Sequence, residues 1–320
     1  MDQNGKRVIN YLRISVTDFC NYRCTYCMPP GGIQWLPRTD ILSFEEICSI
    51  VNAAIPLGVD RIRLTGGEPL MRHGIMDLVK MLARLPGIDD IALTTNGSRL
   101  EEFATVLRES GVNRINVSLD SLRPGRYCEI TRGGNFDKVW RGIEAAHSAG
   151  FGIIKLNVVV IKGINDDEIE DFAALTRKYP FEVRFIEYMP VGPTELSNRF
   201  THVSAEEMRN RISALGQLDK LSDDSHGGPA ERYKLQGAGA ALGFISAMSH
   251  RFCSSCNRLR LTADGRLLSC LFSGQSIEVK SLLRSGAPPE KIAEAVRLAI
   301  ESKPMVRPER CSSFMSSIGG

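Results

Sequence analysis

From residue 8 to about residue 215 the sequence alternates between short apolar, β-branched runs and longer stretches of helical periodicity. The runs cover residues 8–16, 61–65, 91–95, 114–119, 153–161 and 181–188. Phe44, Ile47, Val51 and Ile55 recur at helical spacing, and Ser43 with Glu46 has the form of a capping box. Ser98 with Glu101 and Ser204 with Glu207 repeat that start signal. Such alternation implies a parallel sheet with right-handed crossovers, an α/β fold. Six units fall two short of a closed barrel. The expectation is an open, partial (β/α)6 TIM-type barrel; a doubly wound sheet shares the same periodicity.

The pattern changes after Gly216. Residues 222–229 are polar and glycine-bearing, as a loop should be. Short β-like runs at 233–235 and 242–246 come next, then helical segments at 277–284 and 289–302 and a small-residue tail ending in Gly319-Gly320. Residues 1–216 therefore read as the barrel, and 217–320 as a smaller C-terminal domain. A formal charge of +3 is too small to nominate nucleic acid as a partner. No run approaches the ~18 apolar residues of a membrane span. The polar opening Met1-Asp2-Gln3-Asn4-Gly5 lacks the apolar stretch of a secretion signal. A cytoplasmic protein is expected.

Six of the nine cysteines fall into two tight groups. In a cytosolic chain, grouped cysteines more often bind metal than form disulfides. Cys20, Cys24 and Cys27 directly follow the first predicted strand. Thiolates suit iron–sulfur clusters and zinc, and four ligands close a zinc site or an ordinary cluster. Three leave one metal vertex open to a small molecule. A zinc site borrowing a distant fourth ligand is the alternative. The second group is Cys253 and Cys256, with Cys270 fourteen residues beyond. Asp264-Gly265 signals a hairpin, and a two-residue turn centred there pairs Leu259 with Cys270, bringing the three thiols together. A zinc knuckle using His250 as fourth ligand is the rival. Arg258 and Arg260 flank Leu259, so on a strand both guanidinium groups share one face, suited to phosphate or carboxylate. The solitary Cys48, Cys128 and Cys311 read as buried small hydrophobes.

Cys-x3-Cys-x2-Cys with Tyr26 before the third cysteine resembles the signature of the radical S-adenosylmethionine (SAM) superfamily. Thr65-Gly66-Gly67-Glu68-Pro69 resembles its glycine-rich SAM motif, and Thr94-Thr95-Asn96-Gly97 and Ser118-Leu119-Asp120 add to the match. Glycines suit the first motif because no Cβ blocks a ligand. Each segment lies at the C-terminal end of a predicted strand, where α/β barrels gather their active sites. Within the superfamily the whole chain resembles the GTP 3′,8-cyclase family of molybdenum cofactor biosynthesis. The resemblance rests on residues 12–18, on Cys27-Met28-Pro29, on Cys-x2-Cys-x-Arg-Leu-Arg with Cys270, and on the di-glycine tail. Phe19 and Lys6 depart from the family's usual basic residue and arginine.

That resemblance implies a lyase holding two 4Fe-4S clusters, one on Cys20, Cys24 and Cys27 and one on Cys253, Cys256 and Cys270. Tyr26, Gly67, Ser118 and Met189 would line the SAM site. Arg13, Arg63, Thr94, Lys155, Arg258, Leu259 and Arg260 would contact GTP, and Gly319 and Gly320 would reach into the cavity as a catalytic finger. A 5′-deoxyadenosyl radical would take hydrogen from C3′ of GTP, and the sugar radical would attack C8. The product, (8S)-3′,8-cyclo-7,8-dihydro-GTP, would pass to a cyclic pyranopterin monophosphate synthase. A reductase or flavodoxin-type electron donor and a homodimer are implied in the same way. A peptide-modifying two-cluster radical SAM enzyme and a non-catalytic zinc module are the rival readings.

Overall fold

Each of the six apolar runs forms a strand within two or three residues of its expected ends. The computed structural model describes residues 7–193, 199–222, 228–272, 274–308, 311 and 314–319. Gly320, Lys6 and much of the loop expected at 222–229 lie outside them. The strands are β1 (Tyr11–Ser15), β2 (Arg61–Thr65), β3 (Asp90–Thr95), β4 (Arg114–Ser118), β5 (Ile154–Val160) and β6 (Phe181–Glu187). Between them lie helices α1 (Phe44–Ala54), α2 (Ile75–Ala83), α3 (Leu100–Ser110), α4 (Pro124–Thr131), α5 (Phe136–Ser148) and α6 (Ile169–Lys178). Then follow α7 (Ala205–Ser213), α8 (Lys280–Arg284), α9 (Pro289–Glu301) and α10 (Met315–Ile318).

The capping box at α1 forms as expected: Glu46 N donates to Ser43 Oγ (3.1 Å) and Ser43 N to Glu46 Oε2 (2.7 Å). That fixes the phase in which Ile47, Ile50, Val51 and Ala54 face the sheet. Ser204 caps α7 through Glu207 N (3.1 Å). Ser98 does not cap α3, whose cap position is Arg99. The hydroxyl of Ser98 instead accepts from Asn21 Nδ2 (3.0 Å), drawn to the first cysteine loop by the left-handed turn at Gly97.

β1 to β6 run side by side in parallel, and residues beyond 216 extend the sheet at both edges. β10 (Arg258–Leu261) pairs in parallel with β1, and β9 (Leu242–Ile245) in parallel with β6. β11 (Arg266–Leu268) and β12 (Ile277–Glu278) continue one edge, β8 (Glu231–Leu235) and β7 (Leu218–Lys220) the other. Eight adjacent parallel strands result, yet β12 and β7 end the order unpaired with each other, so the barrel is partial. The helical segment expected at 277–284 begins only at Lys280, because Ile277 and Glu278 pair with Leu267 and Arg266.

Pleating assigns the two faces. Leu12, Ile14, Ile62, Leu64, Leu259 and Leu261 are fully buried in the layer between sheet and helices. Tyr11 and Arg13, Arg63, and Arg258 and Arg260 alternate with them and turn to the concave side. The hairpin between β10 and β11 corrects the expected register. Arg260 pairs with Leu268 and Leu261 with Leu267, one residue from the pairing of Leu259 with Cys270. Thr262 N donates to Arg266 O, Arg266 N to Thr262 Oγ1, and Gly265 takes φ +80°, which makes a three-residue loop. Continued to its end, this register sets Cys270 opposite Arg258, on the concave face. A one-residue slip reverses every side chain, and the expected pairing would have turned Cys270 to the helices with Leu259. Cys48 packs against the core and Cys311 is buried, but Cys128 is exposed, because it faces outward on the short helix α4. No described helix is long and apolar enough to cross a membrane.

Candidate active site

The concave side encloses a cavity of about 350 Å³ whose wall includes all six grouped cysteines, each a free thiol. Cys20, Cys24 and Cys27 follow the last residue of β1, whereas Cys253 and Cys256 precede the first residue of β10, which pairs with the first residue of β1. The two thiol groups therefore attach at opposite ends of adjacent strands, of which the five-residue β1 rises ~13 Å.

The first loop is pinned from several sides. Thr25 N donates to Ile130 O (2.8 Å) and Arg23 N to Thr131 O (3.2 Å) at the end of α4. Arg132, the one described non-glycine residue at positive φ (54°), donates from Nη1 to Arg23 O (2.9 Å) and Met28 O (2.8 Å). Asn96 Nδ2 donates to Asn21 Oδ1 (2.9 Å). Gly67 N and Glu68 N donate to Thr17 O (2.7 Å) and Phe19 O (2.8 Å), so the glycine motif lies flat on the segment entering Cys20. A Cβ on Gly67 would stand 2.2 Å from Phe19 O, and one on Gly66 2.7 Å from Thr17 O. The need for glycine comes from this approach of the chain to itself, where the sequence suggested a ligand.

Two buried carboxylates, unassigned from sequence, tie these loops together. Glu68 accepts from Thr95 Oγ1 (2.7 Å), Asn96 N (2.7 Å) and Leu70 N (3.1 Å), and burial lifts its carboxyl to about 7. Asp120 accepts from Tyr26 Oη (2.6 Å) and Val159 N (2.9 Å), and burial lifts it to about 6. Tyr26, Gly67, Ser118 and Met189 all lie on the cavity wall.

Between the thiol groups lies a band of cations. Arg260, Arg13 and Arg63 are register partners across β10, β1 and β2, about 4.8 Å apart strand to strand. Like charges directly opposite one another are unfavourable. Burial, then Arg260, Arg63 and Arg258, push the Arg13 guanidinium well below its usual range. Burial and Arg258 bring Arg260 down to about 10. Arg63 donates to neutral oxygens, Tyr11 Oη (2.7 Å) and Thr94 Oγ1 (3.1 Å). Lys155 and Thr94 flank Asn116 in the next rungs. Elsewhere on the wall, Arg114 and Arg184 pair with Asp90 and Glu182. Leu259 is fully buried on the opposite face, so its side chain does not reach this band. Gly319 enters above the arginines: its carbonyl accepts from Arg260 Nη1, and a Cβ there would stand 2.8 Å from Thr65 Oγ1. Gly320 lies outside the described residues.

The second thiol group is braced through its backbone. Lys303 Nζ donates to Arg258 O (2.5 Å) and Ser269 O (2.6 Å), next to Cys256 and Cys270, and Arg7 Nη1 donates to Cys253 O (2.6 Å). Nothing in the sequence signals either contact. Burial pushes the Cys256 thiol up, but Arg258 and Lys303 outweigh it and bring it to about 6. The donor sets fit two clusters. Three thiols frame each end of one cavity, and burial holds Cys20 up at about 11, so a metal would have to displace its proton. His250 is exposed, and no three His, Cys, Asp or Glu among the described residues are grouped to hold a metal ion.

Comparison with known proteins agrees. Residues 14–176 match the radical SAM superfamily, and residues 181–307 match Molybdenum Cofactor Synthesis C. A GTP 3′,8-cyclase of Pelotomaculum thermopropionicum is 50% identical over 325 aligned positions, covering 100% of both chains. One of Moorella thermoacetica is 48% identical over 324 positions, again covering 100% of both. Streptococcus suis SuiB, solved bound to S-adenosylmethionine, aligns with a TM-score of 0.62 at 16% identity, over 91% of this chain and 68% of its own. A radical SAM methyltransferase from Sphaerobacter thermophilus gives 0.52 at 19% identity, over 76% and 67%. The two solved structures show the fold alone. With a superfamily match over residues 14–176 and relatives about half identical from end to end, this chain belongs to the radical SAM superfamily and, within it, to the GTP 3′,8-cyclase family.

Proposed function

We propose that the chain is a GTP 3′,8-cyclase in which residues 1–216 generate the radical and carry part of the substrate-binding band, while residues 217–320 carry the second thiol group and the rest of that band. The observation that carries the proposal is the rung Arg260–Arg13–Arg63, three guanidinium groups side by side between two thiol groups, with Arg260 and Arg63 buried and Arg13 half-buried. So much like charge in one chamber calls for a polyanion, and a triphosphate near −4 supplies it.

When bound, the N-terminal cluster and SAM supply a 5′-deoxyadenosyl radical that takes hydrogen from C3′ of GTP. Cys20, Cys24 and Cys27 would hold that cluster, and Tyr26, Gly67, Ser118 and Met189 would shape the SAM site. Asp120 fixes the Tyr26 hydroxyl, and Glu68 keeps the glycine motif against the loop after β3. Arg13, Arg63, Lys155, Arg258 and Arg260 would neutralise the triphosphate, with Thr94 oriented by Arg63. Cys253, Cys256 and Cys270 would hold the second cluster, and the guanine base would bind at that end of the cavity. Gly319, and Gly320 beyond it, would close over C3′ without adding a side chain that a carbon radical could attack. Excluding water and stray hydrogen donors is what such a chamber must do.

The cyclised nucleotide would pass to a pyranopterin-forming synthase, a flavodoxin-type protein or reductase would deliver the electron, and the chain would work as a cytoplasmic homodimer. The test is anaerobic incubation of reduced, reconstituted protein with SAM and GTP. The proposal requires about eight irons per chain and 5′-deoxyadenosine formed together with 3′,8-cyclo-7,8-dihydro-GTP. Colourless protein with stoichiometric zinc, or 5′-deoxyadenosine indifferent to GTP with no cyclised product, overturns it.

A further inference from the structure

Arg307, like Arg251, is a cavity-wall cation outside the triphosphate band. It follows α9, outside the strands that carry Arg13, Arg63 and Arg260, yet it lies on the cavity wall at 7% exposure. Its guanidinium is stacked on Phe272, with Cζ 4.1 Å from the ring centroid. Phe272 N in turn donates to Cys270 Sγ (3.5 Å), so the stack is anchored beside the second thiol group. Arg307 Nη2 contacts Met248 Sδ (2.9 Å), but Nε and Nη1 are buried with no hydrogen-bond acceptor among the described residues. Leaving a buried donor unmade costs far more than making its bond gains, and more when the donor is charged. Two such donors on a residue of the cavity wall point to an occupant that supplies the acceptor.

We propose that Arg307 is a specificity-determining residue that donates to the carbonyl oxygen O6 of the substrate's guanine base, and so selects GTP over ATP. This rests on the cyclase reading above. The choice between base and phosphate follows from placement: the triphosphate already has cations on β1, β2, β5 and β10, while Arg307 stands beside the second thiol group, stacked on the Phe272 whose N–H meets Cys270 Sγ. Guanine offers an acceptor at position 6, whereas adenine offers an amino donor. A guanidinium made rigid by stacking and backed by methionine sulfur repels that amino group and pairs with the carbonyl.

The test is equilibrium binding to anaerobically reconstituted protein without SAM, with GTP, 2-aminopurine riboside 5′-triphosphate (which lacks O6) and guanosine as probes. Wild-type protein should favour GTP over the analogue by roughly tenfold or more, since bonds to charged groups carry such factors. In Arg307→Met, and in Arg307→Lys as a charge-retaining second variant, that preference should fall towards unity with iron content unchanged, and guanosine binding should weaken alongside GTP. Retained preference, an effect confined to probes carrying phosphates, or loss of iron in both variants overturns the inference, the last because Arg307 would then serve the metal site. Wild-type protein that cyclises GTP but binds the O6-less analogue equally well sinks this inference alone. Wild-type protein that neither binds nor cyclises GTP sinks the cyclase reading instead.

Discussion

Replacing Gly67 with alanine should disable the N-terminal cluster site from a position that carries no ligand. The added Cβ would lie 2.2 Å from Phe19 O and 2.4 Å from Asp18 O, both backbone atoms with no side chain to swing away. To reach even the 3.0 Å floor of real Cβ contacts, the chain at Phe19 must retreat by at least 0.8 Å. That retreat breaks the bonds from Gly67 N to Thr17 O and from Glu68 N to Phe19 O, and it drags the neighbouring Cys20. Two backbone hydrogen bonds at ~1 kcal/mol each, with ~1–3 kcal/mol of overpacking, make the cost about 3–5 kcal/mol. Gly31 is the control, because a Cβ there meets nothing within 4 Å. In a background with Cys253, Cys256 and Cys270 replaced by alanine, Gly67→Ala should lose most of the remaining ~4 irons per chain and its SAM binding. Gly31→Ala should keep both. Full iron and normal SAM affinity in Gly67→Ala would refute the reasoning, since the loop would then have absorbed the displacement at no cost.

Arg132 offers a test of the same loop from the other side. Arg132→Ala loses the bonds to Arg23 O and Met28 O and keeps the left-handed strain, whereas Arg132→Gly loses the bonds and relieves it. Both variants should bind SAM more weakly than wild type, with the glycine variant more stable by about 1 kcal/mol in chemical denaturation. Glu68 predicts a pH dependence. Burial raises its carboxyl from 4.5 to about 7, so the folded chain holds that proton more tightly than the unfolded chain. Stability should therefore fall as pH rises from about 4.5 to 7, on the order of 3 kcal/mol from this group, with the full penalty present above 7. Urea denaturation of cluster-free protein at several pH values should show a shallower decline in Glu68→Gln than in wild type. Cys270→Ala should halve the iron content while leaving the response of the first cluster to SAM intact.

The six barrel strands were legible because β-branched runs and helical periodicity are local signals, and α1 was legible to its cap. What failed in the sequence reading failed through contacts that local sequence does not carry. Asp264-Gly265 reads as a two-residue turn, but the hydroxyl of Thr262 accepts from Arg266 N and widens it to three, which decides that Cys270 faces the cavity. Ser98 reads as a cap, but Asn21, distant in sequence, claims its hydroxyl. β9 and β10 flank β6 and β1 although each lies far along the chain from its partner, so periodicity could not anticipate eight parallel neighbours. Cysteines announce themselves by spacing. Glu68, Asp120, Lys303 and Arg307 act through tertiary neighbours, and their types alone say nothing of it.

The most direct measurement is electron paramagnetic resonance of the reduced N-terminal cluster in protein whose Cys253, Cys256 and Cys270 are replaced by alanine, recorded with and without SAM. A metal vertex left open by Cys20, Cys24 and Cys27 predicts a spectrum that changes on adding SAM. A spectrum that does not change, or one showing a fourth side chain already on the iron, would contradict the reading at its root.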